Sequence, residues 1–431
     1  MKNPLPRVSP LLLFMALLCV TLPGRAEQIN IAITKTTVGD WLVTYLSDAP
    51  VTQLTFVRNP DKSRQRRWTS LSPDMMIDYH EGSEIIRRRD RAPFDNASFI
   101  LDASYHPLAK EYAPFSPFSD GGMLFHSGRF FVCADTCDDR HARWQMMVTA
   151  PVQDNIIVGG KIYNARVQWT DAANGQKIYV GPAAPVSDTH FISIIDSTLP
   201  PALHESIRTQ LPLLVGFFAG HLGALNYRPA LFASYHDREN GQYGNQGGTL
   251  PGQIFMHWYG YKSIHPFDSQ ATFWFFAHEV AHLFQREASQ INAPEEAWVH
   301  EGAADLFAGL ASDPAYLQTR VATAQADCAR DTQGQTVYAD AARARPSVHY
   351  SCGLLMMYQI DRAVRQHHDL TIFTLWQRFT EKVRRGQPAS ARSFLAVATP
   401  YLPAALNAAL TRLTEKGIWD IADWRLENER L

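Results

Sequence analysis

At 431 residues with 46% hydrophobic side chains, the chain is long enough for two or three domains with cores of their own. A formal net charge of −2 leaves no basic footprint for nucleic acid and implies no strongly charged substrate. Residues 1–26 have the parts of a secretory signal: Lys2 and Arg7, an apolar run from Leu11 to Val20, a Pro23-Gly24 break and then Arg25-Ala26. Cleavage is expected after Ala26, with the mature chain secreted or periplasmic. An anchor left uncleaved is the alternative. No later stretch approaches 18 uninterrupted apolar residues, so no membrane span is expected in the mature chain. Four cysteines remain after Ala26. Cys133 and Cys137 are neighbours, and Cys328 and Cys352 bracket one loop, which predicts two disulfides in an oxidising compartment; a metal site is the competing reading of the first pair.

Residues 27–198 read as a β-rich domain. Short runs such as Ile29 to Thr34, Trp41 to Tyr45, Gln53 to Val57, Phe99 to Asp102, Phe130 to Cys133 and Lys161 to Tyr163 alternate with clusters rich in Gly, Pro, Asp and Asn. A β-sandwich-like domain is expected, without a catalytic constellation. The basic clusters Arg64 to Arg67 and Arg87 to Arg91 read as solvated faces. Ser197-Thr-Leu-Pro-Pro201 marks the boundary, and residues 199–431 form the second domain.

That domain opens with helical periodicity from Ala202 to Gly223, then a strand at Leu231 to Tyr235. A glycine-rich loop, Asn240 to Gly248, leads into the strand-like run Gln253 to Trp258. Phe273 to Arg286 follows, F-W-F-F-A-H-E-V-A-H-L-F-Q-R, on a helix capped by Asp268 or Ser269. His278 and His282 are four residues apart and project from one helical face, where one metal ion reaches both. Glu279, beside the first histidine, points away from the metal and suits a base acting on water. Two histidines and a glutamate in so apolar a helix need a partner against desolvation, and a metal supplies it. After 18 further residues Glu301 lies on a second helical segment, A-W-V-H-E-G-A-A-D. It completes a His₂Glu set for one Zn²⁺ ion with the fourth position open. Asp305, one turn on, is placed to accept a hydrogen bond from the distal nitrogen of His278.

H-E-V-A-H, the 18-residue gap and W-V-H-E-G-A-A-D resemble the gluzincin zinc metallopeptidases, most closely the aminopeptidase N and glycyl-aminopeptidase branch. The resemblance implies an α+β multidomain protein: an N-terminal β-sandwich-like domain, then a thermolysin-like catalytic domain with a helical part from about residue 353. It implies that the strand Gln253, Ile254, Phe255 and Met256 holds the substrate backbone. It also implies that Tyr350, in Y-S-C-G-L-L, donates to the oxyanion, with His349 as the alternative donor. One departure stands out: where the branch carries G-x-M-E-N, this chain has Gly248 to Met256 with no acid, which counts against aminopeptidase action. The expected function is peptide-bond hydrolysis by zinc-activated water with Glu279 as general base. A zinc-bearing binding module without turnover, or a zinc hydrolase of a non-peptide substrate, is the alternative. The expected partner is a peptide or protein substrate.

Overall fold

The computed structural model describes residues 29–108, 111–134, 142–238, 240–291, 293–333, 336–338 and 345–415. The expected signal segment and its cleavage point lie outside the described residues, as does Cys137, the expected partner of Cys133. No described helix is long and apolar enough to cross a membrane.

The first sheet has six strands, in the order Arg166–Ala172, Arg143–Thr149, Ile29–Lys35, Trp41–Val51, Phe94–Leu101 and Trp68–Ser70. Alternation sets its inner face: Ile29, Ile31 and Ile33 are buried, as are Trp41, Val43 and Tyr45 on the antiparallel neighbour. A four-stranded sheet (Val132–Ala134, Gln53–Phe56, Ser83–Arg88, Met75–His80) shares that core, as a sandwich requires. Arg64 is not on a solvated face, because its guanidinium is buried against Glu84 at 2.5 Å.

A third sheet has strands Lys161–Asn164, Asn155–Val158, Lys177–Gly181, Met123–His126 and Phe115–Pro117, and its three central strands are buried on both faces. Ile156, Val158, Ile178, Val180, Met123 and Phe125 join the sandwich core. The residues between them, Ile157, Tyr179 and Leu124, join a second core with Ile194, Phe232 and Phe255 of the following sheet. Strands covered on both sides need no polar alternation, hence the unbroken runs Ile-Ile-Val and Met-Leu-Phe.

The following sheet runs Val186–Ser187, Ile192–Ile195, Ala230–His236, Gln253–Tyr259 and Gly244–Leu250. Its three central strands are parallel, and the helix Pro201–Leu222 makes the first crossover. Ile192–Ile195 is thus part of this sheet, although it precedes the boundary read at residues 198 and 199. The proline pair there starts a helix, with proline tolerated in the first turn where no N–H is needed. Gly244–Leu250 is antiparallel and forms the edge, closing a hairpin through Pro251 and Gly252, the latter at a φ of 74° that glycine adopts without strain.

Helices cover the other face of this sheet, and one apolar core joins them to it. Besides Pro201–Leu222 they are Ser269–Gln285, Trp298–Leu310, Pro314–Thr332, Ser347–His368, Ile372–Arg384, Ala391–Ala398 and Ala404–Glu415. Two of them cross at a pair of glycines: a Cβ built on Gly302 would lie 2.3 Å from the carbonyl carbon of Gly353. A disulfide joins Cys328 to Cys352, tying Pro314–Thr332 to the helix that bears Gly353.

Candidate metal centre and active-site cleft

Asp268 caps the helix Ser269–Gln285, its carboxylate accepting from the N–H of Ala271. Helical spacing then stacks His278 and His282 on one face, and Trp298–Leu310 brings Glu301 opposite them. The donor atoms form a small triangle: Nε2 of His278 and Nε2 of His282 are 2.9 Å apart, and Glu301 Oε2 lies 3.1 and 3.2 Å from them. Among the described residues this is the one cluster of three or more His, Cys, Asp or Glu ligand atoms that could hold a metal ion.

The outer atoms decide which lone pairs face inward. Asp305 Oδ1 lies 2.9 Å from His278 Nδ1, and a carboxylate can only accept there. Gln285 Nε2 donates to the His300 carbonyl at 2.7 Å, which turns its Oε1 toward His282 Nδ1 at 2.8 Å. Both Nδ1 atoms therefore donate, and both Nε2 lone pairs point at each other and at a carboxylate. Only positive charge answers that arrangement. Burial by itself disfavours charge on His278 and His282. Asp305, Glu301 and Glu279 outweigh it, holding His278 well above its ordinary value and raising His282. Burial likewise opposes ionisation of Glu301, but the two histidines beneath it keep its carboxyl far below the usual range. Tetrahedral ligands about 2.0–2.1 Å from zinc would be about 3.3 Å apart. The observed edges fit a zinc ion held by His278, His282 and Glu301.

Glu279 lines the cleft rather than the triangle. Thr249, on the edge strand, donates to its Oε2 at 2.6 Å. Tyr350, on the helix Ser347–His368, lines the same cleft with its ring 5.7 Å from that of His278. Burial, then the charges of Glu301 and Glu279, push its hydroxyl upward, so it stays a donor across the working pH range. His349 does not line the cleft.

The cavity itself measures about 820 Å³. Its floor beside the metal ligands is the glycine-rich edge, Gly247, Gly248, Thr249 and Leu250. This corrects the expected substrate strand. Gln253, Ile254, Phe255 and Met256 are hydrogen-bonded to strands on both sides and are between 0% and 6% exposed. An unbroken apolar run marks a strand buried on both faces, whereas the edge is where glycines leave backbone open to a ligand. Gln253 spends its amide on the backbone of Lys177, at 2.7 Å in both directions.

Sequence reasoning missed Thr249, Gln285, Trp274 and His300. Gln285 was within reach of it, three residues after His282 on the same helix. Trp274 donates to Asp305 Oδ1 at 2.9 Å, and His300 Nε2 lies 3.4 Å from Glu301 Oε1. The N-terminal domain adds Tyr112, whose hydroxyl is pushed up to about 12 by burial and then by Glu279 and Glu301. It also adds Glu111, whose carboxylate is paired with Arg129 at 2.7 Å and Arg58 at 3.7 Å.

No family model and no curated protein matches the chain. Among solved structures, native yeast LTA4 hydrolase superposes with a TM-score of 0.52 at 11% identity, over 90% of this chain and 67% of that one. Two structures of an M1 zinc metallopeptidase from Deinococcus radiodurans, one a variant bound to a Tyr-Ser-Ala substrate, give 0.49 at 14% and 13% identity. They cover 89% and 90% of this chain and 92% and 94% of theirs. The fold is like that of LTA4 hydrolase: a sheet-rich first domain, then a mixed α+β part ending in helices.

Proposed function

We propose that this chain is a secreted or periplasmic zinc-dependent peptidase. The observation that carries it is the convergence of two Nε2 atoms and one carboxylate oxygen beside a second glutamate, Glu279, in one cleft. His278, His282 and Glu301 would hold one zinc ion. Bound there, zinc supplies Lewis acidity, polarising a substrate carbonyl and making water nucleophilic near neutral pH. Glu279 takes the proton of the attacking water and passes it to the leaving amine. Thr249 orients the Glu279 carboxylate for this transfer. The Tyr350 hydroxyl donates to the oxygen that gains charge as the carbonyl is attacked. The glycine edge pairs with extended substrate backbone.

Glu111 is already neutralised by two arginines, so it offers an incoming amino group no uncompensated anion. With no acid on the edge strand either, the reading favours cuts inside a peptide over removal of its first residue. The fold likeness to a protein named LTA4 hydrolase supports a second reading, a zinc hydrolase of a non-peptide substrate.

The test is mass-spectrometric profiling of a diverse peptide mixture with zinc-loaded protein, beside Glu279→Gln. Internal cuts made only by the intact protein are the expected result. If both proteins hold one zinc and neither cuts, the peptidase reading fails, and a panel of amides and epoxides decides the second.

A further inference from the structure

A second cavity, about 370 Å³, adjoins the first at the end of the cleft nearest the opening turns of the helix Ser269–Gln285. Gly247, His278, Glu279 and Tyr350 border both, so a substrate lying across the catalytic cluster passes from one to the other. The remaining walls of the second cavity are mostly aromatic and apolar: Trp274, Phe275, Tyr316 and Ala271. Its charged side chains are Glu279 and Asp305, at the catalytic end, and Arg320.

Arg320 stands on the helix Pro314–Thr332 with its guanidinium carbon 4.8 Å from the centre of the Trp274 ring. That ring is fixed in turn, since Trp274 Nε1 donates to the same Asp305 oxygen that holds His278. A guanidinium laid on an aromatic face keeps its N–H groups in plane, presented edge-on to a carboxylate. Arg320 Nε is buried and has no hydrogen-bond partner among the described residues. A buried donor without an acceptor is costly, and a ligand that brings the acceptor recovers that cost. The acids nearby are engaged elsewhere. Asp305 Oδ1 serves His278 and Trp274, and Asp327 is paired with Arg330 at 2.7 Å.

We propose that Arg320 receives a carboxylate of the bound substrate in this aromatic cavity, so that peptides carrying a negative charge beside the scissile bond are preferred. The inference rests on the peptidase reading above. It names the substrate chemistry of that site, and Arg320 acts as a specificity residue. The carboxylate is either the side chain of an Asp or Glu residue or the free C-terminus of a short peptide, and the chemistry recognised is the same.

The experiment uses one peptide sequence in matched forms: Glu or Gln at each position flanking the cut, and free acid or amide at the C-terminus. Turnover is measured for the intact protein, Arg320→Gln and Arg320→Lys, each checked for zinc content and thermal stability. Calorimetric binding is measured in parallel with zinc-loaded Glu279→Gln, with and without Arg320→Gln. The intact protein is expected to favour one charged form about tenfold through KM. Arg320→Gln should lose that preference, its charged-to-neutral KM ratio falling to about one, and Arg320→Lys should keep part of it. A preference within the Glu and Gln pairs assigns the side-chain source, and one within the acid and amide pairs assigns the terminus. Equal treatment of charged and neutral peptides by the intact protein, or a preference that survives in Arg320→Gln, overturns the proposal and leaves the peptidase reading standing. If nothing is cut, the peptidase reading falls, and the calorimetric comparison still decides whether Arg320 selects a carboxylate.

Discussion

Replacing Gly302 with alanine tests whether the crossing of two helices sets the geometry of the cleft. Glu301 precedes Gly302, and Tyr350 lies three residues before Gly353, so the two functional side chains flank the contact. A Cβ on Gly302 would sit 2.3 Å from the Gly353 carbonyl carbon, 2.4 Å from its Cα and 2.5 Å from its oxygen. These are backbone atoms that cannot swing aside. Restoring ordinary contact at about 3.4 Å or more requires the helices to part by about 1 Å, since neither can rotate out of a packed core. Overpacking of this kind costs about 1–3 kcal/mol, and a backbone clash belongs at the upper end. At about 2–4 °C per kcal/mol, Tm should fall by roughly 5–10 °C. A 1 Å displacement of Glu301 or Tyr350 should lower turnover about 100-fold. Zinc affinity separates the two: it falls if the Glu301 helix moves and holds if the Tyr350 helix does. The control is the same substitution at Gly216 or Gly220, in the helix Pro201–Leu222, where a Cβ meets nothing within 4 Å. There alanine should stabilise by about 0.5–1 kcal/mol through helix propensity. Wild-type Tm and turnover in Gly302→Ala would refute the reasoning.

Glu279→Gln should lose turnover while keeping zinc, whereas His282→Ala should lose zinc by chelator competition; full zinc occupancy in the latter would remove His282 from the ligand set. Asp305→Ala should weaken zinc binding by about 10–100-fold, because the His278 tautomer is no longer held, and Asp305→Asn should weaken it less, since an amide oxygen can still accept. Unchanged affinity in Asp305→Ala would exclude that role. Lys177 is buried, and burial followed by the nearby Arg129 charge pushes its pKa down to about 7. The unfolded chain therefore binds more protons than the folded one between about pH 7 and the ordinary lysine value, and stability should rise with pH across that window. In denaturant titrations at pH 7 and 9.5, Lys177→Met should lack this rise; an equal gain in both proteins would contradict the burial argument. The Cys328–Cys352 bond spans a sequence separation of 24, which the loop-entropy relation converts to about 3.5 kcal/mol. Cys352→Ser should lower Tm in non-reducing buffer, and reductant should lower Tm further in the wild type than in the variant.

How much was legible beforehand follows from the range of the contacts involved. His278, Glu279 and His282 share one helix, where covalent geometry and a period of 3.6 residues fix relative directions, and Asp305 stands to Glu301 in the same way. That the proposed ligands, base and supporting carboxylate lie together needed little more than spacing and the chemistry of buried charge. The helices Pro201–Leu222 and Ser269–Gln285 and the strand Ala230–His236 were likewise near their expected places, because their apolar periodicity is local.

Strand order is a different kind of quantity. Whether Gln253–Tyr259 or Gly244–Leu250 stands at the edge is set by which strands the chain folds beside them, and the apolar run of the first and the glycines of the second take their places only as the sheet is assembled. The same holds for Ile192–Ile195, which precedes the boundary read at residues 198 and 199 and is recognisable as part of the last sheet only through its pairing with Ala230–His236. The contact of Thr249 with Glu279, the crossing at Gly302 and Gly353, and the stacking of Arg320 on Trp274 join residues between 30 and 51 positions apart, on different elements. The sequence by itself determined the proposed metal-ligand set, since that depends on residue type and helical spacing. Tertiary packing determined the backbone edge and the aromatic, cationic wall around it, because those arise where separate elements meet.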